Sequence, residues 1–236
     1  MIQNNKILCI IPARAGSKGL PGKNIKMLHG LPLIAYTIHH AYDSKYIDRC
    51  IVSTEDKTIA DVALQYGAEI PFMRPNELAT DNSSTIDVLL HAIQWMEDHG
   101  NRFQIIILLH VTTPLRNAED IDQCIELLIN NNADSIFSVT SAHRNPYFNM
   151  VEVEQNKVKL VKPGNFKTRQ SAPKVFDMNA SIYVWWTDRL KLGKSVFLDK
   201  SMIYEMPKDR SIDIDDNIDF FIADMLLSRR NVCKGV

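Results

Sequence analysis

The stretch "ARAGSKGLPGKN", residues 13–24, combines three glycines, spaced three residues apart, with the cations Arg14, Lys18 and Lys23. Glycine allows backbone N–H groups to approach an anion, and arginine and lysine donate charge-assisted hydrogen bonds to phosphate oxygens. The pattern therefore predicts a loop that binds a phosphate chain, and a triphosphate is the natural ligand. The alternative is a glycine-rich surface turn whose lysines are solvated.

This loop differs from two familiar glycine motifs. A P-loop has four residues between its glycines and a Ser or Thr after its lysine. Here five residues separate Gly16 from Gly22, and Asn24 follows the lysine. The dinucleotide pattern G-x-G-x-x-G is also absent from the loop.

A second group of chemically active residues is "SIDIDD", residues 211–216. In an extended segment, Asp213 and Asp215 point to the same side with Cα atoms about 6.5 to 7 Å apart. Mg²⁺ takes one or two carboxylates and completes its shell with phosphate and water. The alternative is helix capping, because Asp215 or Asp216 directly precedes the helical pattern "NIDFFIADMLL". The residues alone leave both interpretations open.

The elements that would position these groups follow from hydrophobic periodicity. Apolar runs rich in Ile and Val predict strands over 6–12, 49–54, 69–73, 104–110 and 134–140. Helical spacing predicts helices over 33–43, 57–66, 84–98, 118–130 and 216–229. Strands that alternate with helices predict a parallel sheet, and the phosphate loop would leave the first strand at the carboxyl edge, where open α/β sheets bind ligands.

The alternation breaks after residue 140. Residues 149–161, "NMVEVEQNKVKLV", alternate apolar and charged side chains around a polar centre, which is typical of a solvent-facing hairpin. Residues 178–186, "MNASIYVWW", lead the chain back to the core. We therefore expect an α/β core of residues 1–140 and 187–236 with an inserted lobe of residues 141–186. One apolar face of this lobe would lie uncovered, and this predicts burial against a second copy in a homodimer.

The composition narrows the class of protein. A chain of 236 residues with 45% hydrophobic content is sufficient for one large domain, and a net charge of -1 provides no overall basic field to attract nucleic acid. No apolar run approaches ~18 residues, and the N-terminus lacks a signal-peptide pattern, so we expect no membrane association. Widely spaced cysteines, mostly within apolar patterns, favour reduced thiols and a cytoplasmic location. They are Cys9, Cys50, Cys124 and Cys233.

Four motifs in order resemble the acylneuraminate cytidylyltransferases, also called CMP-sialic acid synthetases, along nearly the whole chain. They are the opening loop "IPARAGSKGLPGKN", residues 51–81, "LLHVTTPLRN" and "RSIDIDD". "RPNELATD" and "SIDID" are closer to the sialic, legionaminic and pseudaminic acid branch than to Kdo-activating enzymes. The resemblance implies a nucleotide-diphospho-sugar-transferase-like (Rossmann-like) fold, with helices on both faces of a mainly parallel sheet. It also implies transfer of CMP from CTP to a nine-carbon 2-keto-3-deoxy sugar acid.

The resemblance further implies roles for individual residues. The triphosphate would be steadied during catalysis by Arg14, Ser17, Lys18 and Lys23. The nucleotide would be held by Ala13, Arg14, Ala15, Gly16, Asn24, Arg74, Ser83, Ser84 and Thr85, although Ser83 or Ser84 is also a candidate helix cap. The sugar acid would meet His110, Arg169, Asn179, Tyr183 and Arg144, the last from a partner subunit unless its loop is merely solvated. Asp213 and Asp215 would bind Mg²⁺ (or Mn²⁺), which leaves Asp216 as the cap.

The chain departs from the family pattern at two positions. His110 stands where the family commonly has glutamine in "LLQPTSPLR", and Asp177 stands where some sialate enzymes have arginine. Both differences bear on the acceptor sugar, and "DMNASIY" is more similar to legionaminate-type enzymes. The alternatives are a structural hydrogen-bonding role for His110 and a side chain turned to solvent for Asp177. Three alternatives therefore stay open: a Kdo-type cytidylyltransferase, an enzyme that uses UTP and a sugar phosphate, and a non-catalytic nucleotide-binding protein on the same fold.

Overall fold

The computed structural model describes residues 2–16 and 19–234. The strands are β1 (Ile7–Pro12), β2 (Met27–Leu28), β3 (Leu31–Pro32), β4 (Arg49–Ser53), β5 (Ile105–Leu109), β6 (Ser135–Ser141), β7 (Val151–Glu154), β8 (Lys157–Leu160), β9 (Phe176–Trp186) and β10 (Ser201–Glu205). The α-helices are α1 (Leu33–Asp43), α2 (Lys57–Gln65), α3 (Thr85–Asp98), α4 (Ala118–Asn130), α5 (Thr187–Gly193) and α6 (Asn217–Lys234).

Six strands form the central sheet, in the order β10-β6-β9-β5-β1-β4. The pairs β1–β4, β1–β5 and β10–β6 are parallel, whereas β9 is antiparallel to both β5 and β6. Five strands therefore run in one direction, and their carboxyl ends share one edge. This confirms the predicted mainly parallel sheet.

Helices cover both faces of the sheet. Side chains alternate along a strand, so Ile7, Cys9 and Ile11 of β1 pack in the layer that contains α1, α2, α4 and α6. Leu8 and Ile10 pack in the opposite layer, with α3 and α5. Burial on both faces explains why the strands read as continuous apolar runs, and it confirms the predicted helical layers.

One predicted strand is wrong, and four of the observed strands and helices were missed. In the segment 69–73, Glu69 forms a single parallel bridge with Ile51 and the pairing does not continue. Pro71 has no N–H to donate to a ladder, which accounts for the end of pairing. The short helix α5 and the strands β2, β3 and β10 were not predicted. Met202 and Ile203 of β10 are partly exposed at the edge of the sheet, so this strand lacks the pattern of a buried strand.

Two predicted capping residues, Asp216 and Ser84, cap the N-termini of α6 and α3. Asp216 Oδ1 accepts hydrogen bonds from the backbone N–H groups of Ile218 (2.7 Å) and Asp219 (3.0 Å) at the start of α6. The predicted capping role of Asp216 is confirmed. Ser84 caps α3 by accepting a hydrogen bond from the N–H of Ile86 at 3.1 Å. For Ser84, the capping alternative is therefore the contact that the structure contains.

The predicted hairpin is the antiparallel pair β7–β8. Its cross-strand pairs place Val151, Val153 and Val158 on one face, and these side chains are 61%, 69% and 68% exposed. Glu152 lies opposite Lys159 on the other face. Strand β9, which ends the predicted lobe, is a full member of the central sheet. The division of the chain into a core and a lobe stays a prediction.

Three cysteines, Cys9, Cys50 and Cys124, are buried free thiols, as predicted. The side chain of Cys233 lies outside the described residues. Within residues 2–16 and 19–234, no helix combines the length and the apolar character needed to span a bilayer.

Candidate active site

A cavity of about 570 Å³ opens at the carboxyl edge of the sheet. Its walls come from the loop after β1, the end of β5, the segment before α3 and the segment before α6. The predicted site residues that line it are Arg14, Lys23, Asn24, Arg74, Ser83, Thr85, His110 and Asp215. We call this space the main cavity. It brings together all four of the sequence motifs.

The phosphate loop is held to its surroundings by its own polar groups. Asn24 is buried and its Nδ2 donates to the carbonyl oxygen of Arg14 at 2.8 Å. Arg14 Nη2 lies 2.9 Å from Asp81 Oδ1. Lys23 Nζ donates to the carbonyl oxygen of Ile214 at 2.6 Å. The loop therefore presents two cations whose neighbours are fixed before any ligand binds.

The other predicted residues of this loop lie in different places. Ser17 and Lys18 lie outside the described residues. Ala15 and Gly16 line an adjoining cavity of about 500 Å³ that also contains Arg14. Ala13 is buried, and its N–H donates to the carbonyl oxygen of Ser53 at 3.0 Å. This bond continues the β1–β4 ladder into the loop.

Glycine at position 19 has a steric cause. A Cβ atom at Gly19 would collide with the backbone oxygen of Asp215. The loop thus approaches the acidic segment as closely as only glycine permits.

The two predicted metal ligands differ in environment. Asp213 Oδ1 is buried and has no hydrogen-bond partner among the described residues. Burial raises the pKa of Asp213 to about 6, while a hydrogen bond from Thr112 opposes that rise. Asp215 is exposed and lies 3.3 Å from Lys23 Nζ. Among the described residues, no set of three or more His, Cys, Asp or Glu side chains is arranged as a metal site.

Arg74 and Glu55 form a buried ion pair beside the main cavity. Arg74 Nη2 donates to Glu55 Oε2 at 2.6 Å, and their side chains are 3% and 14% exposed. The other oxygen of Glu55 accepts the N–H of Ala15 at 2.8 Å. Sequence reasoning missed Glu55. The available signal was its position two residues after β4, at the same edge as the loop.

The three hydroxyls before and at the start of α3 have different neighbours. Ser83 Oγ accepts the N–H of Thr80 at 3.1 Å and donates to the carbonyl oxygen of Glu77 at 2.9 Å, which closes a turn. Ser84 is the helix cap described above. Ser83 and Thr85 line the main cavity.

His110 lies at the end of β5 above a buried arginine. Arg116 Nη2 donates to the carbonyl oxygen of His110 at 2.7 Å, and Nη1 donates to Thr113 Oγ1 and to the carbonyl oxygen of Ser181. Burial, followed by the charges of Arg116 and Lys23, lowers the pKa of His110 to about 4. The imidazole is therefore neutral at neutral pH and both donates and accepts hydrogen bonds. Sequence reasoning did not single out Arg116, although it lies within a quoted motif.

Two residues predicted to contact the sugar, Asn179 and Tyr183, are buried and contact other residues of the chain instead. Asn179 is buried, with Oδ1 accepting from Ser138 Oγ at 2.7 Å and Nδ2 donating to Ser211 Oγ at 3.0 Å. It ties β9 to the segment that precedes the acidic pair. Tyr183 is buried among aromatic rings, with its ring centroid 5.8 Å from that of His110. The structure brings neither residue to the lining of the main cavity.

Arg144 and Arg169 line a separate cavity of about 350 Å³ together with Lys174. Arg169 Nη2 donates to the carbonyl oxygen of Ala142 at 2.7 Å. We call this space the lobe cavity. Within one chain, these two arginines therefore lie apart from the phosphate loop.

Comparisons with known proteins agree with this geometry. The sequence model of the family described as Cytidylyltransferase matches residues 8–221. The chain is 42% identical over 228 residues to CMP-N,N'-diacetyllegionaminic acid synthase of Campylobacter jejuni, covering 96% of this chain and 97% of that protein. It is 40% identical over 229 residues to Post-translational flagellin modification protein B of Campylobacter coli, covering 97% of each.

A solved structure of CMP:2-keto-3-deoxy-manno-octonic acid synthetase complexed with CTP shares the fold. Its TM-score is 0.70 at 16% identity, and the match covers 95% of this chain and 99% of that one. The residues matched by the family model and by the two relatives include nearly all of the α/β sheet and of the main cavity. The chain belongs to the cytidylyltransferase family of nucleotidyltransferases, as the four sequence motifs predicted.

Proposed function

We propose that the protein transfers CMP from CTP to the anomeric 2-hydroxyl of a nine-carbon 2-keto-3-deoxy sugar acid and releases pyrophosphate. The observation that carries the proposal is the main cavity, where the cationic loop, the acidic segment and the neutral His110 meet. The relatives support an acid of the legionaminic, pseudaminic or sialic type, since members of the family at 42%, 33% and 32% identity are named for these.

In this reaction the 2-hydroxyl oxygen loses its proton to solvent water and bonds to the α-phosphorus, while the bond from the α-phosphorus to the bridging β-phosphate oxygen breaks and pyrophosphate leaves. Arg14 and Lys23 bind the phosphate oxygens and offset the charge that develops on them, with Ser17 and Lys18 as further contacts. Lys23 is well placed for this role, because its ammonium is already held between the loop and the carbonyl of Ile214. The position of that charge is therefore set before the reaction begins.

Asp213 and Asp215 fit a Mg²⁺ or Mn²⁺ ion. A buried carboxylate oxygen without a partner among the described residues costs free energy that a cation would recover. Two carboxylates are also the number that Mg²⁺ combines with substrate phosphate and water. When bound, the ion supplies positive charge to the phosphates. The chain's own part is to hold Asp213 through Thr112 and to keep Asp215 beside Lys23.

The sugar acid would bind at the His110 end of the main cavity, with Asn179 and Tyr183 supporting that wall from behind. Arg144 and Arg169 would reach a sugar from a neighbouring subunit. The exposed valine face of β7–β8 supports a homodimer, because a two-stranded hairpin with one uncovered apolar face is stabilised by burial against a partner. The buried free thiols support a cytoplasmic location.

The test is pyrophosphate release with CTP, Mg²⁺ and a panel of N-acetylneuraminate, legionaminate, pseudaminate and Kdo. We expect release with at least one nine-carbon acid. Release with Kdo alone would instead indicate the Kdo-type enzyme. Release in a parallel reaction with UTP and a sugar phosphate would indicate an enzyme that activates sugar phosphates. CTP binding without any release would indicate a nucleotide-binding protein without catalysis.

A further inference from the structure

We propose that Glu55 is a positioning residue that makes the Arg74 end of the main cavity selective for the uncharged part of the nucleotide. This inference deepens the proposed function and rests on it. In this assignment, Glu55 neutralises Arg74, so that Arg74 offers directed hydrogen bonds without a net positive charge. The phosphates are then left to Arg14 and Lys23.

The first argument is the difference in burial between the ion pairs of the cavity. In the Arg74–Glu55 pair the guanidinium is buried and the carboxylate is mostly buried, with side chains 3% and 14% exposed. The carboxylates next to the other two cations are exposed, at 45% for Asp81 beside Arg14 and 79% for Asp215 beside Lys23. Exposed pairs are weak and a phosphate can replace the carboxylate, whereas breaking a buried pair leaves an uncompensated charge. Arg74 therefore keeps its carboxylate when a ligand binds.

The second argument is the charge that a phosphate would meet at Arg74. The nearby carboxylate of Glu55 offsets the attraction of the guanidinium, because the two charges lie close together and are largely screened from water. A neutral carbonyl oxygen or ring nitrogen of a nucleobase keeps its attraction to Arg74, because it requires a hydrogen-bond donor and not a net charge. The paired Arg74 thus suits a nucleobase better than it suits a phosphate.

The third argument is that Glu55 joins both ends of the nucleotide site. Its Oε1 accepts the N–H of Ala15 in the phosphate loop, while its Oε2 holds Arg74. Arg74 is fixed a second time by its own N–H, which donates to the carbonyl oxygen of Thr54 at 2.8 Å. One carboxylate therefore sets the distance between the loop and the base-facing guanidinium.

The experiment compares CTP with inorganic tripolyphosphate, which has the phosphates and no base. Dissociation constants for both ligands are measured by titration calorimetry for wild type and Glu55→Gln, alongside kcat and KM for CTP. Glutamine keeps the size of the side chain and removes its charge. We expect weaker CTP binding and tighter tripolyphosphate binding, so that the ratio of the two constants changes by about tenfold or more. KM should change more than kcat, because Lys23 and Asp213 are untouched.

The matched control is Glu69→Gln, which removes the charge from the Arg49–Glu69 pair, outside the residues that line the main cavity. It should reduce stability without changing the ratio. The double variant Glu55→Gln/Arg74→Gln, which carries no buried charge at this place, should return tripolyphosphate binding to near the wild-type value. It serves as the second variant if Glu55→Gln folds poorly.

An unchanged ratio in Glu55→Gln, or the same change in Glu69→Gln, would overturn the inference. A fall in kcat with KM unchanged would also overturn it, since Glu55 would then act on the chemical step. Failure of the wild type to release pyrophosphate with any sugar acid would instead refute the proposed function. The binding ratio is measurable in either case, so the two failures are distinguishable.

Discussion

Proteins usually expose charged side chains and bury apolar ones. The main cavity and the β7–β8 hairpin both depart from this distribution, but in opposite ways. The cavity wall buries charged groups, among them Arg74 and Arg116, and each is held by named hydrogen bonds. The hairpin exposes a face of valines. Buried charge requires partners, and exposed apolar surface favours a cover. The cavity is therefore organised within one chain, whereas the hairpin leaves an apolar face that the proposed dimer would cover.

The largest effect expected in the cavity is that of Asp213→Asn. Loss of a charge-stabilising carboxylate should lower turnover by about 10² to 10³-fold while the thermal unfolding temperature changes little. The measurement is pyrophosphate release together with a melting curve. Asp216→Asn is the control, because asparagine caps a helix as well as aspartate does. Retained activity in Asp213→Asn would remove this residue from the site.

The two cationic ends of the cavity should separate by kinetics. Lys23→Ala should mainly lower kcat, whereas Arg74→Ala should mainly raise KM for CTP, each by about 10 to 100-fold. The reason is that, in the proposed binding mode, Lys23 would contact the phosphates, where charge develops, and Arg74 would contact the part of CTP that does not react. Steady-state kinetics with varied CTP gives both constants. The opposite pattern would mean that CTP lies the other way round.

If the lobe cavity of one subunit completes the main cavity of its neighbour, two inactive variants should complement each other. Mixing an inactive Asp213→Asn chain with an inactive Arg144→Ala chain should restore about a quarter of wild-type activity, since half of random dimers are mixed and each has one intact site. Each variant alone is the control. No recovery, with a measured mass of one chain at working concentration, would return Arg144 to the role of a solvated loop residue.

The hairpin can be tested without touching the cavity. Val153→Lys places a charge on the exposed apolar face, and we expect the solution mass to shift from two chains to one. The stability of the isolated chain should change by no more than about 0.5 kcal/mol, because this side chain is 69% exposed within the chain. Light scattering and urea unfolding provide the two readouts. Glu152→Lys, on the opposite face, should leave the dimer intact.

The smallest expected effect concerns pH. The pKa of His110 is about 4 in the folded protein and about 6.5 when unfolded, so the unfolded chain binds the proton first as pH falls. Wild type should lose up to about 2 kcal/mol of stability through this group between pH 7 and pH 5. The stability of His110→Gln should decrease by correspondingly less between the same two pH values. Urea unfolding of both proteins at the two pH values measures the difference, and equal losses would contradict it.

Local signals predicted much of the fold. Helical periodicity gave α1 and α4 with the observed bounds, and the alternating apolar and charged residues of 149–161 gave the hairpin. Strand β10 was missed because its partly exposed side chains resemble those of a loop. The false strand at 69–73 carried the right apolar residues, but Pro71 cannot extend a ladder.

The sequence by itself determined the type of chemistry, since the cations, glycines and carboxylates of the motifs are properties of short segments. Only the tertiary structure decided which of these side chains share a cavity. Glu55 reaches Arg74 and Ala15, and Arg116 reaches the carbonyls of His110 and Ser181, because strand order places distant segments side by side. Arg144 and Asn179 show the converse, as predicted sugar contacts that folding directs elsewhere within the chain. Contacts at the site join residues far apart in the sequence, 191 positions in the case of Lys23 and Ile214, and no local pattern encodes them.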